Sequence, residues 1–178
     1  MKYKKNSWIS PKLEVRDSQI GGKGLFTKDL IKKWEVVIVW GGILMTDKDV
    51  KKRKYKRGTG VEIGEGLYLA SKPNEPFSKE DFMNHSCNPN LWLKDEVTLV
   101  AKRNIKSGEE LTADYGTWVS RPYWKMKCAC GSHLCRGTVT GNDWKRKDIQ
   151  RKYENHFSPY LAERIKIKQI ISKSRYEE

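Results

Sequence analysis

Four cysteines place the strongest constraint on how this chain can fold. Cys128, Cys130 and Cys135 lie close together, and Cys87 is the only other cysteine in the sequence. Tetrahedral zinc takes four ligands, so an all-thiolate site would tie the cysteine-rich segment directly onto the stretch "NHSC". Two alternatives remain open, since the three thiols could be buried with the fourth elsewhere, or His133 could complete a site with three cysteines.

Length and composition limit the class of protein further. The chain has 178 residues, which suits one domain with a short appendage. It has no apolar leader and no apolar run of about 18 residues, and its cysteines suit a reducing compartment. We therefore expect a soluble, intracellular monomer, cytoplasmic or associated with the nucleoid or chromatin, with no membrane contact. The formal charge of +14 predicts nonspecific proximity to nucleic acid through the basic surface, without reading of its sequence.

Short strands separated by turns are predicted over the first two thirds of the sequence. β-branched and aromatic runs bounded by glycine or polar residues are typical of strands. Such runs occur at Leu13–Arg16, Glu35–Trp40, Val61–Ile63, Leu67–Leu69, "VTLVAKRNI" and "EELTADY". Between them, a Thr46-x-x-Asp49 capping pattern predicts a short helix, and six basic residues follow from Lys51 to Arg57.

The end of the sequence has helical spacing instead. One helix is predicted from Trp144, Ile149, Tyr153 and Phe157, and a second, after Pro159, from Leu161, Ile165, Ile167, Ile170 and Ile171. Together these patterns predict an α+β fold that is mainly β with short helices and a helical tail.

Four motifs occur in a fixed order from Gly21 to Gly137: "GGKGLF", "NHSCNPN", "ELTADY" and "CACGSHLCRG". In order and approximate separation they resemble the SET-domain protein-lysine methyltransferases that carry a post-SET zinc segment. The tail "GNDWKRKDIQRKYENHFSPYL" resembles that of small stand-alone SET proteins of microbial type. The resemblance implies several small sheets with a knot-like crossing. It also implies a SET domain over residues 1–119 with a basic insert at about 46–80, a post-SET segment over 120–141 and a helical extension over 142–178.

The resemblance implies methyl transfer from S-adenosylmethionine (SAM) to the amine of a protein lysine, with Zn²⁺ as a structural metal. Glycine permits close backbone approach, and the matching motif residues imply a donor site formed by Lys23, Gly24, Leu25, Asn84 and His85. In this reading Asn84 holds the amino group of the donor through its side-chain carbonyl. The zinc ligands implied are Cys87, Cys128, Cys130 and Cys135.

Tyr115 matches the family's catalytic tyrosine, whose hydroxyl lies where methyl group and amine meet and also contacts the donor. The acceptor channel is expected to include Trp40, Ala113 and Trp118. Ala113 stands where relatives carry a bulky aromatic residue, so the channel is predicted to be wide enough for di- or trimethylation. Trp40 or Trp118 could fill the vacated space instead.

The substrate is not marked by any motif, and histone-like proteins, ribosomal proteins and the protein itself all remain possible. Glu62, Glu65, Asp95 and Glu96 could give the acceptor groove an acidic lining, while Val139 or Trp144 could cover the adenine of the donor. The competing hypothesis is a non-enzymatic module that binds nucleic acid or chromatin through a zinc knuckle and the basic run, with the SET frame as scaffold.

Overall fold

A computed structural model describes residues 3–174 of the chain. Within this range three α-helices are formed, α1 (Asp47–Lys51), α2 (Lys147–Tyr153) and α3 (Pro159–Ser174), and four 3-10 helices at Lys79–Phe82, Tyr115–Thr117, Asp143–Lys145 and Glu154–His156. The strands are β1 (Trp8–Ile9), β2 (Leu13–Asp17), β3 (Lys23–Thr27), β4 (Val36–Val39), β5 (Ile43–Thr46), β6 (Val61–Gly64), β7 (Leu67–Ala70), β8 (Asn84–His85), β9 (Leu91–Leu93), β10 (Thr98–Ala101), β11 (Glu110–Ala113), β12 (Lys125–Lys127) and β13 (Thr138–Thr140). The predicted mainly β fold with short helices is confirmed.

The strands form several small sheets. Two have four strands each, in the orders β1-β4-β10-β9 and β2-β3-β11-β8. A third has the order β5-β7-β6, and β12 pairs with β13. Among the described residues, only β8 and β11 pair in parallel, because the chain passes through β9 and β10 before it returns as β11. The knot-like crossing itself stays a prediction.

Strand predictions succeed both where apolar residues are continuous, as in β4 and β7, and where they alternate with charged residues, as in β2 and β6. β2, β4, β6 and β7 lie within one or two residues of the predicted ranges. The prediction missed seven strands. Three of them, β1, β8 and β9, have only two or three residues, β3 and β5 each follow a glycine pair, and β12 and β13 lie in a polar stretch. The Thr46–Asp49 capping box is present, but α1 ends at Lys51 and Arg53 has a φ of 53°, so most of the basic run is not helical.

The predicted helix from Trp144 to Phe157 is broken into three pieces. Arg146 has an extended ψ of 132° and separates a 3-10 turn from α2. Glu154 has a φ of 41° and ends α2. The second predicted helix is confirmed as α3. Residues 1–2 of the predicted SET domain and 175–178 of the predicted extension lie outside the described residues.

Two apolar clusters hold the site in place. The main core joins the two four-stranded sheets and contains Leu25, Leu111, Ala113 and Trp118 among its buried members. A second cluster contains Trp144, Ile149, Tyr153, Phe157, Leu161 and Ile165, with Trp92 packed against it. The C-terminal helices are therefore docked on the sheet rather than free. No helix in the described part of the chain has the length and apolar character needed to cross a membrane.

Candidate active site and metal centre

The parallel pairing of β8 with β11 brings two of the sequence motifs side by side. Thr112 lies opposite Asn84, and Ala113 lies opposite His85. The side chain of Asn90 supports this short pairing, since its Nδ2 donates to the carbonyl of Glu110 at 2.8 Å and its Oδ1 accepts from the amide of Thr112 at 2.9 Å. Residues about 30 positions apart in sequence thus form one junction.

The glycine motif lies against this junction through a hydrogen-bonded carboxylate. The Nδ2 of Asn84 donates to Oε1 of Glu110 at 2.7 Å and to the carbonyl of Lys23 at 3.0 Å. Ser18 Oγ donates to the same carboxylate at 2.8 Å. A Cβ on Gly24 would lie 2.3 Å from Oε1 of Glu110, so a larger residue here would displace the carboxylate that Asn84 binds. Sequence reasoning assigned no role to Ser18, which lies outside the motifs, or to Glu110, although Glu110 is the first residue of "ELTADY".

The other predicted donor-site residues differ in their exposure. Leu25 is fully buried in the middle of its sheet, paired with Val15 and Leu111 on either side. Lys23 is exposed and its ammonium lies 2.7 Å from the carboxylate of Asp17. Gly22 has a φ of +54° and open space around it. The accessible part of this loop is therefore the turn before Gly24, and Leu25 contributes packing.

His85 connects the junction to the cysteines. Its Nδ1 accepts from the amide of Tyr115 at 3.1 Å, which assigns the ring proton to Nε2. Nε2 lies 3.3 Å from the sulfur of Cys87. Burial lowers the pKa of His85 to about 4, against the opposing attraction of Asp114. The ring is therefore neutral near pH 7 and links Tyr115 to a cysteine.

The four cysteines form a cluster whose sulfurs all lie within 4.8 Å of one another. The sulfurs of Cys87 and Cys128 are 3.8 Å apart, close to the separation of about 3.8 Å in a tetrahedral site with Zn–S bonds of about 2.3 Å. Backbone amides also point at the sulfurs, with Arg136 N 3.3 Å from Cys87 and Gly137 N 3.4 Å from Cys135. The residues present therefore fit zinc.

His133, the alternative fourth ligand, is exposed and does not belong to the four-cysteine cluster. The fourth member of the cluster is Cys87, as the count of four cysteines in the sequence predicted. Lys152 of α2 donates its ammonium hydrogen to the carbonyl of Cys87, so the C-terminal helices also contact this loop.

Arg136 forms a second connection between the cysteine segment and the junction. Its guanidinium makes two hydrogen bonds to the carboxylate of Asp114, at 2.6 and 2.7 Å. Tyr153 donates to the same carboxylate at 2.7 Å, and Asp143 lies 2.9 Å from Nε of Arg136. Burial alone would raise the pKa of Asp114, but the bonds from Arg136 hold it below its usual value. Neither Arg136 nor Tyr153 was predicted from the sequence.

Tyr115 faces a cavity of about 440 Å³. Its hydroxyl donates to the carbonyl of Met83 at 2.6 Å, and burial raises its pKa above the usual value. Trp40, Trp118 and Trp124 line the cavity beside it. The rings of Trp40 and Trp118 have centroids 5.2 Å apart, and that of Trp118 is 5.4 Å from Tyr115. Aromatic side chains therefore form the wall around the tyrosine.

The remaining predicted residues lie elsewhere. Ala113 is buried in the main core and is not part of the cavity lining. Val139 is fully buried in β13, and Trp144 is buried in the C-terminal cluster. Glu62 is buried and accepts from the amide and hydroxyl of Ser120, so it does not line the cavity.

The acidic groups of the cavity are instead Glu80 and Asp81, which precede the "NHSC" motif. Oε2 of Glu80 is buried and has no hydrogen-bond partner among the described residues. Burial raises the pKa of Asp81 to about 6, although its bond from the Ser78 amide opposes this. Arg57 and Arg121 line the same cavity and partly balance these charges. The Ser78-x-x-Asp81 capping pattern was the signal in the sequence that could have marked this turn.

Comparison with known proteins identifies the family. The sequence pattern of the SET domain family matches residues 22–116, more than half of the chain, and the chain therefore belongs to that family. Histone-lysine N-methyltransferase 2B of Homo sapiens is 33% identical over 139 residues, covering 68% of this chain and 5% of that protein. Histone-lysine N-methyltransferase ash1 of Drosophila melanogaster is 29% identical over 154 residues, covering 79% of this chain and 7% of that protein.

A solved structure is similar as well. The crystal structure of KRYPTONITE in complex with mCHG DNA and SAH has 26% sequence identity and a TM-score of 0.57, covering 73% of this chain and 29% of that one. The chain spans less than a tenth of the length of either curated relative. The comparisons thus assign the domain family, and the activity follows as a proposal.

Proposed function

We propose that the protein transfers a methyl group from SAM to the side-chain amine of a protein lysine. The observation that carries the proposal is the junction of β8 and β11, where Asn84, His85 and Tyr115 meet beside the glycine turn. Membership of the SET family and the similarity to histone-lysine methyltransferases and to a structure with bound SAH support it.

Asn84 is the residue that holds the donor's amino group. Its Nδ2 already donates to Glu110, Lys23 and Ser18, which fixes the orientation of the amide. Its Oδ1 accepts no hydrogen bond from the described residues and is free for an ammonium group. Glu110 lies 2.7 Å from Nδ2 and adds negative charge beside a cationic donor. Gly24 has no Cβ and so leaves space beside the Glu110 carboxylate.

Tyr115 positions the reacting groups rather than exchanging a proton. SAM, when bound, supplies the methyl group, whose bond to sulfur breaks as the bond to the lysine nitrogen forms, with the electron pair left on sulfur. The Tyr115 proton is held by the Met83 carbonyl, so the lone pairs of the hydroxyl oxygen are free for the methyl and amine hydrogens. The raised pKa keeps this hydroxyl protonated, and the lysine must lose its own proton before its nitrogen attacks the methyl group.

The aromatic cavity is the acceptor channel. The lysine side chain has an apolar stem and a cationic head, and Trp40, Trp118 and Trp124 suit both through packing and cation–π attraction. Glu80 and Asp81 also line this cavity, but Arg57 and Arg121 balance their charges, so the aromatic side chains carry this assignment. The substrate is a lysine-bearing protein of histone-like, ribosomal or self type.

Zinc, held by the four thiolates, is structural and fixes the post-SET segment on the loop that contains Asn84. The division into a SET domain over residues 1–119, a post-SET segment over 120–141 and an extension over 142–178 belongs to the same proposal. So do a monomeric state, a cytoplasmic or chromatin-associated location and a relation to small microbial SET proteins.

The experiment is methyl transfer from isotope-labelled SAM to core histones, ribosomal proteins and the protein itself. Label on a lysine that depends on Tyr115 supports the proposal. Absence of label on all three, with SAM bound and the fold intact, would favour the non-enzymatic binding module.

A further inference from the structure

Trp34 has a backbone conformation that its side chain disfavours. It lies in the turn before β4 with a φ of 69°, in the left-handed region where a bulky residue is an outlier. Trp34 is 51% exposed, so burial in a core does not explain why a tryptophan occupies this position. Strained backbone of this kind clusters at functional sites, including those that hold ligands.

The indole of Trp34 belongs to an aromatic surface formed with Trp92 and His156. The rings of Trp34 and Trp92 have centroids 5.4 Å apart, and Trp92 stacks on His156 at 4.0 Å and 15°. His156 is fixed by its Nδ1, 3.0 Å from the carbonyl of Leu93. Trp92 and His156 are therefore held in place by their contacts, while Trp34 is open to solvent. None of its three aromatic residues lines the proposed acceptor channel.

Two lysines flank the aromatic surface. Lys33 Nζ lies over the ring of Trp34, 5.4 Å from its centroid, and Lys102 Nζ lies over the ring of Trp92 at the same distance. Burial and the charge of Arg103 lower the pKa of Lys102, as expected where cations gather. The nearby carboxylate of Glu35 is paired with Lys12 at 2.6 Å. Aromatic faces flanked by cations suit a ligand with flat bases and a negative backbone.

We propose that the surface of Trp34, Trp92 and His156 binds single-stranded nucleic acid, with an unpaired base stacked on Trp34 and phosphates on Lys33 and Lys102. In a duplex both faces of a base are covered by the stacked neighbouring pairs, so duplexes bind only through their phosphates. A methylated lysine, the other ligand of aromatic surfaces, would be repelled by the two lysines. The net charge of +14 raises the local concentration of a polyanion, and the aromatic surface then binds it.

The test is fluorescence anisotropy of labelled oligothymidine and oligouridine of about 12 nucleotides, with a duplex of equal length for comparison. Trp34→Gly suits the left-handed backbone and removes the ring, so it is expected to weaken single-strand binding about tenfold while the duplex is unaffected. Lys33→Gln and Lys102→Gln are each expected to lower the salt slope by about one. Methyl transfer should stay unchanged.

Two controls make the result decisive. Trp8→Ala removes another exposed indole, in β1 at the opposite edge of the same sheet, and should leave binding unchanged. Trp34→Phe keeps a ring and should bind more tightly than Trp34→Gly. Unchanged single-strand binding in Trp34→Gly overturns the proposal. Equal loss in Trp34→Phe and Trp34→Gly, or binding of a trimethyl-lysine peptide that depends on Trp34, overturns it too.

Discussion

Two regions that meet at Cys87 are stabilised in different ways. The junction of β8 and β11 is continuous with the main core, where Leu25, Leu111 and Ala113 are almost fully buried. The hairpin of β12 and β13 has Val139 as the one buried side chain among its six residues. A two-stranded hairpin of this kind is marginally stable in water, whereas each large core side chain contributes about 1.5–3 kcal/mol.

This difference in burial indicates that the cysteines and Arg136 attach the hairpin to the junction. The junction contains the chemistry and is held by burial, so changes there should alter activity more than folding. The hairpin has almost no core of its own and depends on thiolate and ion-pair cross-links.

Zinc removal should release the hairpin and leave the sheets folded. Structural zinc binding in small peptides contributes on the order of 10 kcal/mol, more than this hairpin can replace. We expect Cys130→Ser or strong chelation to abolish amide-exchange protection of residues 125–140 while β4 and β10 stay protected. The measurement is hydrogen exchange followed by mass spectrometry, with zinc determined by elemental analysis.

His133→Ala is the matched control for the zinc experiment, because this side chain is exposed beside the cluster. It should retain one zinc per chain. Loss of zinc in this variant would restore His133 as a ligand, and global unfolding on chelation would contradict the separate stabilisation of the two regions.

Arg136→Met should destabilise the protein by about 3–5 kcal/mol, because it leaves the buried carboxylate of Asp114 without its partner. Arg103→Met is the control, since Arg103 pairs with Glu109 at 2.6 Å but its side chain is 54% exposed, and a surface pair contributes about 0–1 kcal/mol. Urea denaturation of the zinc-loaded proteins measures both. Equal effects for the two variants would show that Arg136 is not a cross-link.

The sequence predicted the junction better than it predicted these cross-links, and the reason is physical. Strand patterns and motif spacing depend on local sequence, so β2, β4, β6 and β7 and the positions of Asn84 and Tyr115 could be inferred. The cysteine count predicted the cluster because thiolate sites need four ligands and only four thiols exist. Both inferences succeed because few alternatives exist, for the local structure of a patterned segment and for the choice of four thiolate ligands.

The roles of Arg136, Tyr153 and Glu110 could not be found in this way, although Arg136 and Glu110 lie within two of the motifs. The chain has 36 Lys and Arg residues, and a place in a motif does not show which of them reaches a buried carboxylate 22 positions away. Ala113 shows the same limit, because a motif position identifies a residue without showing whether its side chain faces a channel or a core. Tertiary packing decides such cases.

Tyr115→Phe should lower kcat by about 100-fold or more, since removal of one positioned hydrogen-bonding group typically has this effect. Donor binding should persist, because the hydroxyl contacts Met83 rather than the glycine turn. Asn84→Ala should instead weaken donor affinity about tenfold. Single-turnover kinetics and calorimetric SAM titration separate the two effects.

Tyr123→Phe controls for loss of a hydroxyl, since Tyr123 is 98% exposed, and it should behave like the wild type. Full activity in Tyr115→Phe, or unchanged SAM affinity in Asn84→Ala, would reject the assigned roles. A large loss of stability in Tyr115→Phe would also contradict the view that the junction is held by burial.

The smallest expected effect concerns the number of methyl groups transferred. Ala113 was expected to widen the channel. Ala113, Trp40 and Trp118 all belong to the main core, but only the two tryptophans also line the cavity beside Tyr115. Trp118→Phe keeps an aromatic ring and enlarges the space next to the acceptor nitrogen, so it should shift products toward higher methylation. A volume change of this size alters discrimination by about 1–3 kcal/mol, or roughly ten-fold or more in product ratio.

Trp124→Phe is the matched control for this shift, because Trp124 lines the same cavity but its ring centroid is 6.4 Å from that of Tyr115, against 5.4 Å for Trp118. Intact-mass analysis of a peptide substrate after long reaction times gives the product distribution of each variant. Ala113→Tyr tests the other possibility, since a bulky side chain there reduces methylation only if it reaches the channel. If Ala113→Tyr transfers fewer methyl groups and Trp118→Phe leaves the product distribution unchanged, the residue that limits methylation is at position 113 and not at position 118.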